Sequence, residues 1–263
     1  MLKINYTKLL SKKNLEPITC LTAYSKPLAN ILDGRVDLIL IGDSLGTTLY
    51  GMKNTQKVTL EMMKNHGKAV VKNTKYSMTI VDMPYNTYRT KKEALKNAFD
   101  ILNYTKADFI KIENDEKNIE IVKYLSENNI KVISHIGVTP QKFSDFSKIK
   151  SVGKNINDTN SLLKLSAQLE DAGSKLIVLE CISLSLAKKI TDKLSIPTIG
   201  IGSSKNCDGQ VLVIDDILSI DKNNKPKFVK KYADIEKNIQ NAVNKFVKDV
   251  KNKKFPSQKH SYK

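Results

Sequence analysis

Four apolar runs of this sequence each end at or near a carboxylate side chain. Asp43 closes the run LILIGD, and Asp82, Glu113 and Glu180 stand in the corresponding places of MTIVDMP, DFIKIEN and KLIVLEC. An apolar segment rarely carries an unpaired carboxylate without a purpose. The repetition therefore marks these four residues as candidate catalytic or metal-binding groups.

The charges of these carboxylates limit the chemistry that they can do together. Two of them about 4 Å apart repel by roughly 4 kcal/mol at a protein-like effective dielectric constant. Three can be crowded into one site only if a cation lies between them or if some of them carry protons. Mg²⁺ is the simplest cation for such a site, because it prefers oxygen ligands in an octahedron. The three cysteines and three histidines are scattered, so no zinc site is predicted.

Each carboxylate also has a purely structural interpretation. Asp43 could cap the helix that follows it, and Asp82 precedes Met83-Pro84, which is typical of a turn. Glu113 alternates with Lys111 on one strand, so the two could form an ion pair inside the protein. Glu180, within an apolar strand, is the hardest to explain structurally, and for the four together the functional interpretation is favoured.

Two further residues near these strand ends have open roles. His135 ends the run ISHIG and could bind a substrate or move a proton, or it could be a polar packing residue. Cys181 adjoins Glu180, but the sequence places no basic group beside it. We therefore expect Cys181 to be an unreactive thiol.

The elements that must position these residues alternate along the chain. Short β-branched runs predict eight strands, over residues 18–24, 36–43, 77–84, 108–114, 130–137, 174–181, 196–202 and 209–216. Parallel strands that are buried on both faces and separated by helices are typical of a β/α architecture. Eight such units predict a closed (β/α)8 barrel of the α/β class, with the active site at the C-terminal ends of the strands.

Helical periodicity fills the intervals between several strands and the end of the chain. The apolar faces are Ala94, Leu95, Ala98, Phe99 and Leu102 after the third strand; Leu162, Leu165, Ser166, Leu169 and Ala172 after the fifth; Leu186, Ala187, Ile190 and Leu194 after the sixth; and Ile235, Ile239, Ala242, Val243, Phe246, Val247 and Val250 at the end. A doubly wound open sheet is the alternative fold, but no G-x-G-x-x-G loop follows the first strand. We predict one domain over residues 1–263, with a lid near 139–160 and a short basic tail, KNKKFPSQKHSYK, that is flexible unless it docks.

Composition narrows the class of protein. A hydrophobic content of 40% suffices for a core, and no run is long enough to cross a bilayer, so we expect a cytoplasmic protein without a membrane partner. The net charge of +17 raises the alternative of an RNA-binding protein. However, the lysines are spread over all predicted helices and only two arginines occur, so a solvated surface is favoured over specific nucleic-acid binding.

A series of motifs in this order resembles the 3-methyl-2-oxobutanoate (ketopantoate) hydroxymethyltransferase family. The matching segments are LTAYSKPLANILD, LILIGDSLGTTLYG, TIVDMPYNTY, IKIEN, SHIGVTPQ, LIVLECIS, IGIGSS and CDGQVLVIDD. The resemblance covers nearly the whole chain. It implies a TIM barrel of the phosphoenolpyruvate/pyruvate type, and homo-oligomers that are often decamers.

The resemblance also implies a reaction and roles for residues. A hydroxymethyl group would pass from the co-substrate 5,10-methylenetetrahydrofolate to 3-methyl-2-oxobutanoate through a Mg²⁺-stabilised enolate, giving 2-dehydropantoate in the first step of pantothenate synthesis. The implied Mg²⁺ ligands are Asp43, Asp82 and Glu113. The implied contacts of the oxo acid are Asp43, Ser44, Asp82 and Lys111. Glu180 would be the proton acceptor.

The sequence departs from the family pattern at positions 114–115, 203–204 and 215–216, and in the lid segment 149–153, which lacks the usual Tyr and Gln. None of these positions holds an implied metal ligand or the implied base, but they bear on lid geometry and folate affinity. A carbon–carbon lyase or phosphonomutase of the same superfamily is the nearest alternative function. The D-S-L-G and V-D-M-P segments and the strand of Glu180 argue against it.

Overall fold

Eight parallel strands form a closed barrel in which each strand pairs with its neighbours in chain order and β8 pairs with β1. The structure is a computed structural model that describes residues 3–145, 150–221 and 226–262. The strands are β1 (Ile18–Thr22), β2 (Leu38–Ile41), β3 (Met78–Asp82), β4 (Phe109–Glu113), β5 (Val132–Gly137), β6 (Leu176–Glu180), β7 (Thr198–Ile201) and β8 (Gly209–Leu212). All eight predicted strands are present, so the predicted (β/α)8 barrel is confirmed.

Helices separate most of the strands along the chain and also follow the last strand. They are α1 (Tyr6–Ser11), α2 (Lys26–Leu32), α3 (Leu45–Thr48), α4 (Leu60–Val71), α5 (Lys91–Thr105), α6 (Ile119–Glu127), α7 (Ile156–Asp171), α8 (Leu184–Lys193), α9 (Ile214–Leu218) and α10 (Ile235–Lys251). Short 3₁₀ turns lie at Pro140–Lys142 and Gln258–His260. None of the helices in the described ranges combines the length and the apolar character needed to cross a membrane.

Alternate residues of the strands fill the barrel interior, because successive side chains of a strand point to opposite faces. The inner apolar cluster comprises Leu9, Ile18, Cys20, Leu38, Leu40, Met78, Ile80, Phe109, Ile133, Leu176, Val178, Ile199 and Val211. Leu9 comes from α1, a helix that the sequence analysis did not predict. Two residues further along several of these strands, the same inner face carries polar side chains near the C-terminal ends.

The N-terminal ends of the strands are joined by a repeated pair of Asp and Thr. Asp208, which precedes β8, accepts hydrogen bonds from the Thr198 backbone N–H (2.8 Å) and hydroxyl (3.1 Å). The pairs Asp37–Thr19 and Asp108–Thr79 repeat this arrangement. Each of these aspartates also binds a lysine of the N-terminal segment, namely Lys13, Lys12 and Lys3. The segment before β1 is thus fastened to this end of the barrel by charge.

We expect Asp208→Ala to destabilise the protein strongly. Lys13 and Asp208 are both buried, with side-chain exposures of 8% and 2%, and their ion pair is 2.9 Å long. Removal of the carboxylate leaves a buried ammonium unpaired, which costs about 3–5 kcal/mol. The thermal midpoint should fall by roughly 10 °C. The control is Asp192→Ala, which breaks the exposed ion pair with Lys188 and should lower the free energy of unfolding by less than about 0.5 kcal/mol. Equal losses of stability in the two variants would contradict the proposed role of the buried ion pair.

Two details of the predicted elements are wrong. The eighth strand was predicted to reach residue 216, but it ends at Leu212 and Asp215 and Asp216 lie in the first turn of α9, where acidic side chains favour the helix dipole. The predicted apolar face of α5 is rotated: Ala94, Ala98, Ile101 and Thr105 are buried, whereas Phe99 is 42% exposed. Helices α4 and α5 pack closely here, with Gly67 of α4 against Thr105, so small side chains fit between them.

By its residue contacts the chain groups into two compact units, Met1–Val213 and Ile214–Lys263, and each is described by itself. The barrel belongs to the first unit. In the second unit α10 confirms the predicted final helix, but its apolar stripe is not buried: Ile239, Val243, Phe246, Val247 and Val250 are 40–55% exposed. In the basic tail, the Phe255 ring contacts the rings of Phe246 and His260. The tail therefore folds back on α10.

Candidate active site

The polar residues at the inner C-terminal ends of β3 to β6 face one another across the barrel mouth. Asp82 follows Met78 and Ile80 at two-residue steps, Lys111 and Glu113 follow Phe109 in the same way, and the other members of the group are His135 on β5 and Glu180 on β6. Strand register aligns them, since Asp82 pairs with Lys111, Glu113 with His135, and Gly137 with Glu180. The two-residue alternation that places apolar side chains in the barrel core therefore also brings these polar side chains together at the mouth.

Asp43 lies just beyond β2 and joins this group through two hydrogen bonds. Its backbone N–H donates to Asp82 Oδ2 at 3.0 Å, and its carboxylate Oδ2 accepts from the Gln141 side-chain amide at 2.8 Å. The N-cap residue of α3 is Ser44. Asp43 is thus held toward the barrel mouth and does not cap the helix.

Lys111 is the buried cation of the site. Its ammonium lies 3.1 Å from Asp82 Oδ1, so the ion pair forms with Asp82 on the neighbouring strand and not with Glu113 as the structural interpretation supposed. Burial lowers the pKa of Lys111, but the charges of Asp82, Asp43 and Glu113 outweigh it, and the pKa lies above its ordinary value. Lys111 is therefore a permanent positive charge at the mouth.

One ammonium does not compensate all the carboxylates. Burial, and then the charge of Asp82, raises the pKa of Asp43 to about 7. Burial and the charge of Asp43 also raise the pKa of Glu113 well above its ordinary range. Asp82 Oδ1 is buried and has no well-aligned hydrogen bond within the described residues. The site therefore has a deficit of positive charge.

His135 lies between the cationic and the anionic groups. Its Nδ1 is 3.5 Å from Lys111 Nζ and its Nε2 is 3.1 Å from Glu180 Oε2, although the second approach is not aligned as a hydrogen bond. Burial and the charge of Lys111 lower the pKa of His135, so the ring is neutral near pH 7. The ammonium donates toward Nδ1, and we infer that the ring proton sits on Nε2, facing Glu180.

The backbone around Glu180 is tightly constrained. Gly137 has φ +100°, and a Cβ there would lie 2.3 Å from the Glu180 carbonyl oxygen, so only glycine fits beside this strand end. Cys181 has φ +51°, a left-handed conformation that non-glycine residues rarely adopt. Burial raises the pKa of its thiol to about 11, in agreement with the prediction of an unreactive cysteine.

The predicted substrate contact Ser44 and a residue without a predicted role share a hydrogen bond. Ser44 Oγ lies 2.8 Å from the hydroxyl of Tyr24, which is buried. A Cβ at Gly42 would lie 2.9 Å from the same Oγ. The hydrogen bond with Tyr24 thus fixes the position of the Ser44 hydroxyl just beyond β2.

Gln141 is the main residue of the site that the sequence analysis missed. It lies in the 3₁₀ turn after β5, is 2% exposed, and contacts both Asp43 and Glu113. The signal was the place of Gln141 in the sequence SHIGVTPQ, directly beyond a strand that ends at the mouth. Glutamine is uncharged, so its residue type does not by itself indicate a functional role, and its partners Asp43 and Glu113 are distant in the chain.

The predicted metal ligands Asp43, Asp82 and Glu113 lie at the same barrel mouth but do not form a complete metal-binding shell. Within the described residues, no three His, Cys, Asp or Glu side chains are arranged around one metal position. Asp43, Asp82 and Glu113 are linked instead through the Asp43 N–H and Gln141. A cavity of about 220 Å³ opens beside Glu113 and Gln141, and its lining includes Tyr85, Tyr88, Arg89, Lys117 and Lys142.

Several solved enzyme structures have the same fold. A 2,3-dimethylmalate lyase of the PEP mutase/isocitrate lyase superfamily matches with a TM-score of 0.60 and 12% identity, covering 97% of this chain and 91% of that one. A phosphoenolpyruvate phosphomutase from Streptomyces platensis subsp. rosaceus matches with a TM-score of 0.61 and 11% identity, covering 95% and 88%. These similarities show the barrel type alone.

Sequence comparison is more specific. The 3-methyl-2-oxobutanoate hydroxymethyltransferase of Pelagibacter ubique (strain HTCC1062) is 52% identical over 253 residues, covering 96% of this chain and 97% of the relative. The enzymes of the same name from Anaplasma marginale (strain St. Maries) and Helicobacter pylori (strain ATCC 700392 / 26695) are 45% and 42% identical, covering 98% and 99% of this chain and 93% and 96% of the relatives. The family model described as ketopantoate hydroxymethyltransferase matches residues 3–258. The chain therefore belongs to the ketopantoate hydroxymethyltransferase family, a family of transferase enzymes.

Proposed function

We propose that this protein transfers a hydroxymethyl group from 5,10-methylenetetrahydrofolate to 3-methyl-2-oxobutanoate, giving 2-dehydropantoate. The observation that carries the proposal is the group of four carboxylates, three buried and Glu180 partly buried, with Lys111 and His135 at the barrel mouth. In a chain of this family, that group supplies the charges needed to bind an oxo acid and to remove a proton from it.

Asp43, Asp82 and Glu113 would hold Mg²⁺. Two observations support this: the pKa values of Asp43 and Glu113 are raised, and the buried Oδ1 of Asp82 has no well-aligned hydrogen bond within the described residues. A divalent cation would compensate the negative charge of all three carboxylates. The three proposed ligands are all carboxylates, and a ligand set made only of oxygen atoms suits Mg²⁺. Bound Mg²⁺ would supply positive charge that draws electron density from the 2-oxo group of the substrate.

Lys111 and Ser44 would bind and orient the substrate carboxylate. Lys111 carries a full positive charge in a buried position, where its interaction with an anion is strong. The hydroxyl of Ser44 can donate a hydrogen bond to the substrate while it accepts one from Tyr24. The two groups would fix the oxo acid with C3 toward β6.

Glu180 would be the general base that removes the C3 proton. Its carboxylate Oε2 lies 3.1 Å from Nε2 of the neutral His135 ring, an approach that is not aligned as a hydrogen bond, so the carboxylate would remain able to accept the proton. The enolate so formed would then make its new bond to the one-carbon unit. Lys117 and Lys142, in the lining of the neighbouring cavity, would favour an anionic folate donor at this side of the mouth.

We further propose a cytoplasmic homo-oligomer, with a decamer as the expected state. The apolar stripe of α10, exposed in the single chain, supports a surface that assembly would cover. Light scattering after size-exclusion chromatography measures the assembly. A monomer at micromolar concentration would contradict this part of the proposal.

A direct assay tests the proposed reaction. The purified protein should form 2-dehydropantoate from 3-methyl-2-oxobutanoate and methylenetetrahydrofolate when Mg²⁺ is present, and product formation should stop when EDTA removes the metal. The same preparation should not cleave 2,3-dimethylmalate or convert phosphonopyruvate. Turnover of either of those compounds, with no 2-dehydropantoate formed, would overturn the assignment.

A further inference from the structure

Gln141 contacts two of the proposed metal ligands at once, through different groups. Its side-chain Nε2 donates to Asp43 Oδ2 at 2.8 Å and to the Met83 carbonyl at 3.0 Å. Its backbone N–H lies 3.1 and 3.3 Å from the two carboxylate oxygens of Glu113. A single buried residue therefore fixes two carboxylates, one just beyond β2 and one at the end of β4.

The orientation of this amide is determined by its partners. Asp43 Oδ2 and the Met83 carbonyl oxygen are both placed to accept, so the NH₂ group must face them. On the other side, the Tyr88 hydroxyl donates to Gln141 Oε1 at 2.5 Å. A flipped amide would set oxygen against two acceptors and NH₂ against the hydroxyl. Tyr88 thus selects the orientation in which Gln141 donates to Asp43.

The turn that carries Gln141 is itself fastened to neighbouring loops. Gln56 Nε2 donates to the Gln141 carbonyl oxygen at 2.9 Å. Lys142 forms a 2.6 Å ion pair with Asp115. Asp115 is one of the positions at which the sequence departs from the family pattern. These contacts fix the turn relative to β4, so the position of the amide does not depend on the turn alone.

We propose that Gln141 is a positioning residue for the divalent cation, and that Tyr88 holds its amide in the working orientation. The inference rests on the proposed Mg²⁺ site. The amide hydrogen bond to Oδ2 fixes the orientation of the Asp43 carboxylate and favours cation binding through Oδ1, which suits the monodentate carboxylates and strict octahedron of Mg²⁺. Residues that orient metal ligands in this way typically contribute 10–100-fold to metal affinity.

Calorimetric titration of the metal-free full-length protein with Mg²⁺ tests the inference without any assay of turnover. We expect Gln141→Leu to weaken Mg²⁺ binding by about 10–100-fold. Tyr88→Phe removes one hydroxyl and retains the ring, and should weaken binding by a smaller factor, about three- to tenfold. Gln168→Leu, the same change on α7, is the matched control and should leave the affinity unchanged.

A spectroscopic signature separates positioning from general loss of structure. Mn²⁺ bound in place of Mg²⁺ should give a broader electron paramagnetic resonance spectrum in Gln141→Leu than in the wild type, because the ligand geometry is less defined. If Gln141→Leu does not fold, as judged by circular dichroism, Tyr88→Phe decides the question. Unchanged Mg²⁺ affinity in the folded variant would overturn the role of Gln141 and leave the proposed function standing. Failure of the wild type to bind Mg²⁺ would overturn both.

Discussion

Glu180→Gln should abolish the exchange of the C3 proton of 3-methyl-2-oxobutanoate and leave Mg²⁺ binding intact. Glutamine retains the size of the side chain but cannot accept the proton, and loss of a positioned general base costs about 10²–10⁴-fold in rate. Burial and the neighbouring carboxylates, Glu180 among them, raise the pKa values of Asp43 and Glu113, so removal of the Glu180 charge should not weaken metal binding. Proton NMR in deuterium oxide measures the exchange, and calorimetry measures the Mg²⁺ affinity.

The control for this variant is Glu120→Gln on the surface of α6, where the carboxylate pairs with the exposed Lys91 at 2.9 Å. It should exchange the C3 proton at the wild-type rate. Retained exchange in Glu180→Gln would remove Glu180 from the proton-transfer step. Loss of exchange together with loss of Mg²⁺ binding would place Glu180 among the metal-binding groups instead.

Asp43→Asn should have two opposite effects, a loss of activity and a gain in the stability of the metal-free protein at pH 8. The introduced asparagine can still accept the hydrogen bond from Gln141 but carries no charge for the metal. We expect Mg²⁺ affinity to fall by more than the roughly 10–100-fold seen when only an orienting residue is lost. Transfer of the hydroxymethyl group should then fall below detection.

The stability effect follows from the raised pKa of Asp43. Below about pH 4 both the folded and the unfolded chain hold the proton. Between about 4 and 7 only the folded chain holds it, because its pKa is about 7, so this group lowers the free energy of unfolding as the pH rises through that window. Above pH 7 the loss is complete. The asparagine of the variant has no such proton, so the substitution removes the penalty.

Thermal unfolding at pH 5 and pH 8 measures this difference. At pH 8 without metal, Asp43→Asn should be more stable than the wild type by at least about 1 kcal/mol, or about 2–4 °C. Mg²⁺ should stabilise the wild type and not the variant. Asp100→Asn, an exposed site paired with Lys64, should behave as the wild type does. An identical pH dependence of Asp43→Asn and wild type would contradict the raised pKa.

The sequence was sufficient for the barrel and for the placement of most candidate residues at its mouth, because both depend on short-range periodicity. A strand of a β/α barrel must be apolar on both faces, and such runs stand out against helices of 3.6-residue period. The two-residue alternation that buries Ile80 and Val178 also carries Asp82 and Glu180 to the inner surface. Carboxylates at the C-terminal ends of such strands must then meet at one mouth, whatever their separation in the chain.

Local patterns failed where the outcome depended on a neighbouring element. The α5 face was misjudged since close packing against α4 favours alanine and threonine over Phe99. The eighth strand was predicted too long, because the valine and isoleucine at its end suit a strand as well as the start of α9. In both places the residues are apolar, but the sequence of a single segment does not reveal which element it packs against.

The sequence alone determined which charged residues reach the barrel mouth, and the tertiary structure decided which of them act on one another. Lys111 could have paired with Glu113 two residues away, yet the register of β3 against β4 sets it beside Asp82. Gln141 carries no charge and no distinctive spacing, and its role follows from the position of its turn over Asp43 and Glu113. Strand registers and loop positions result from the packing of the whole barrel, so residue types and spacings within one segment cannot reveal these pairings.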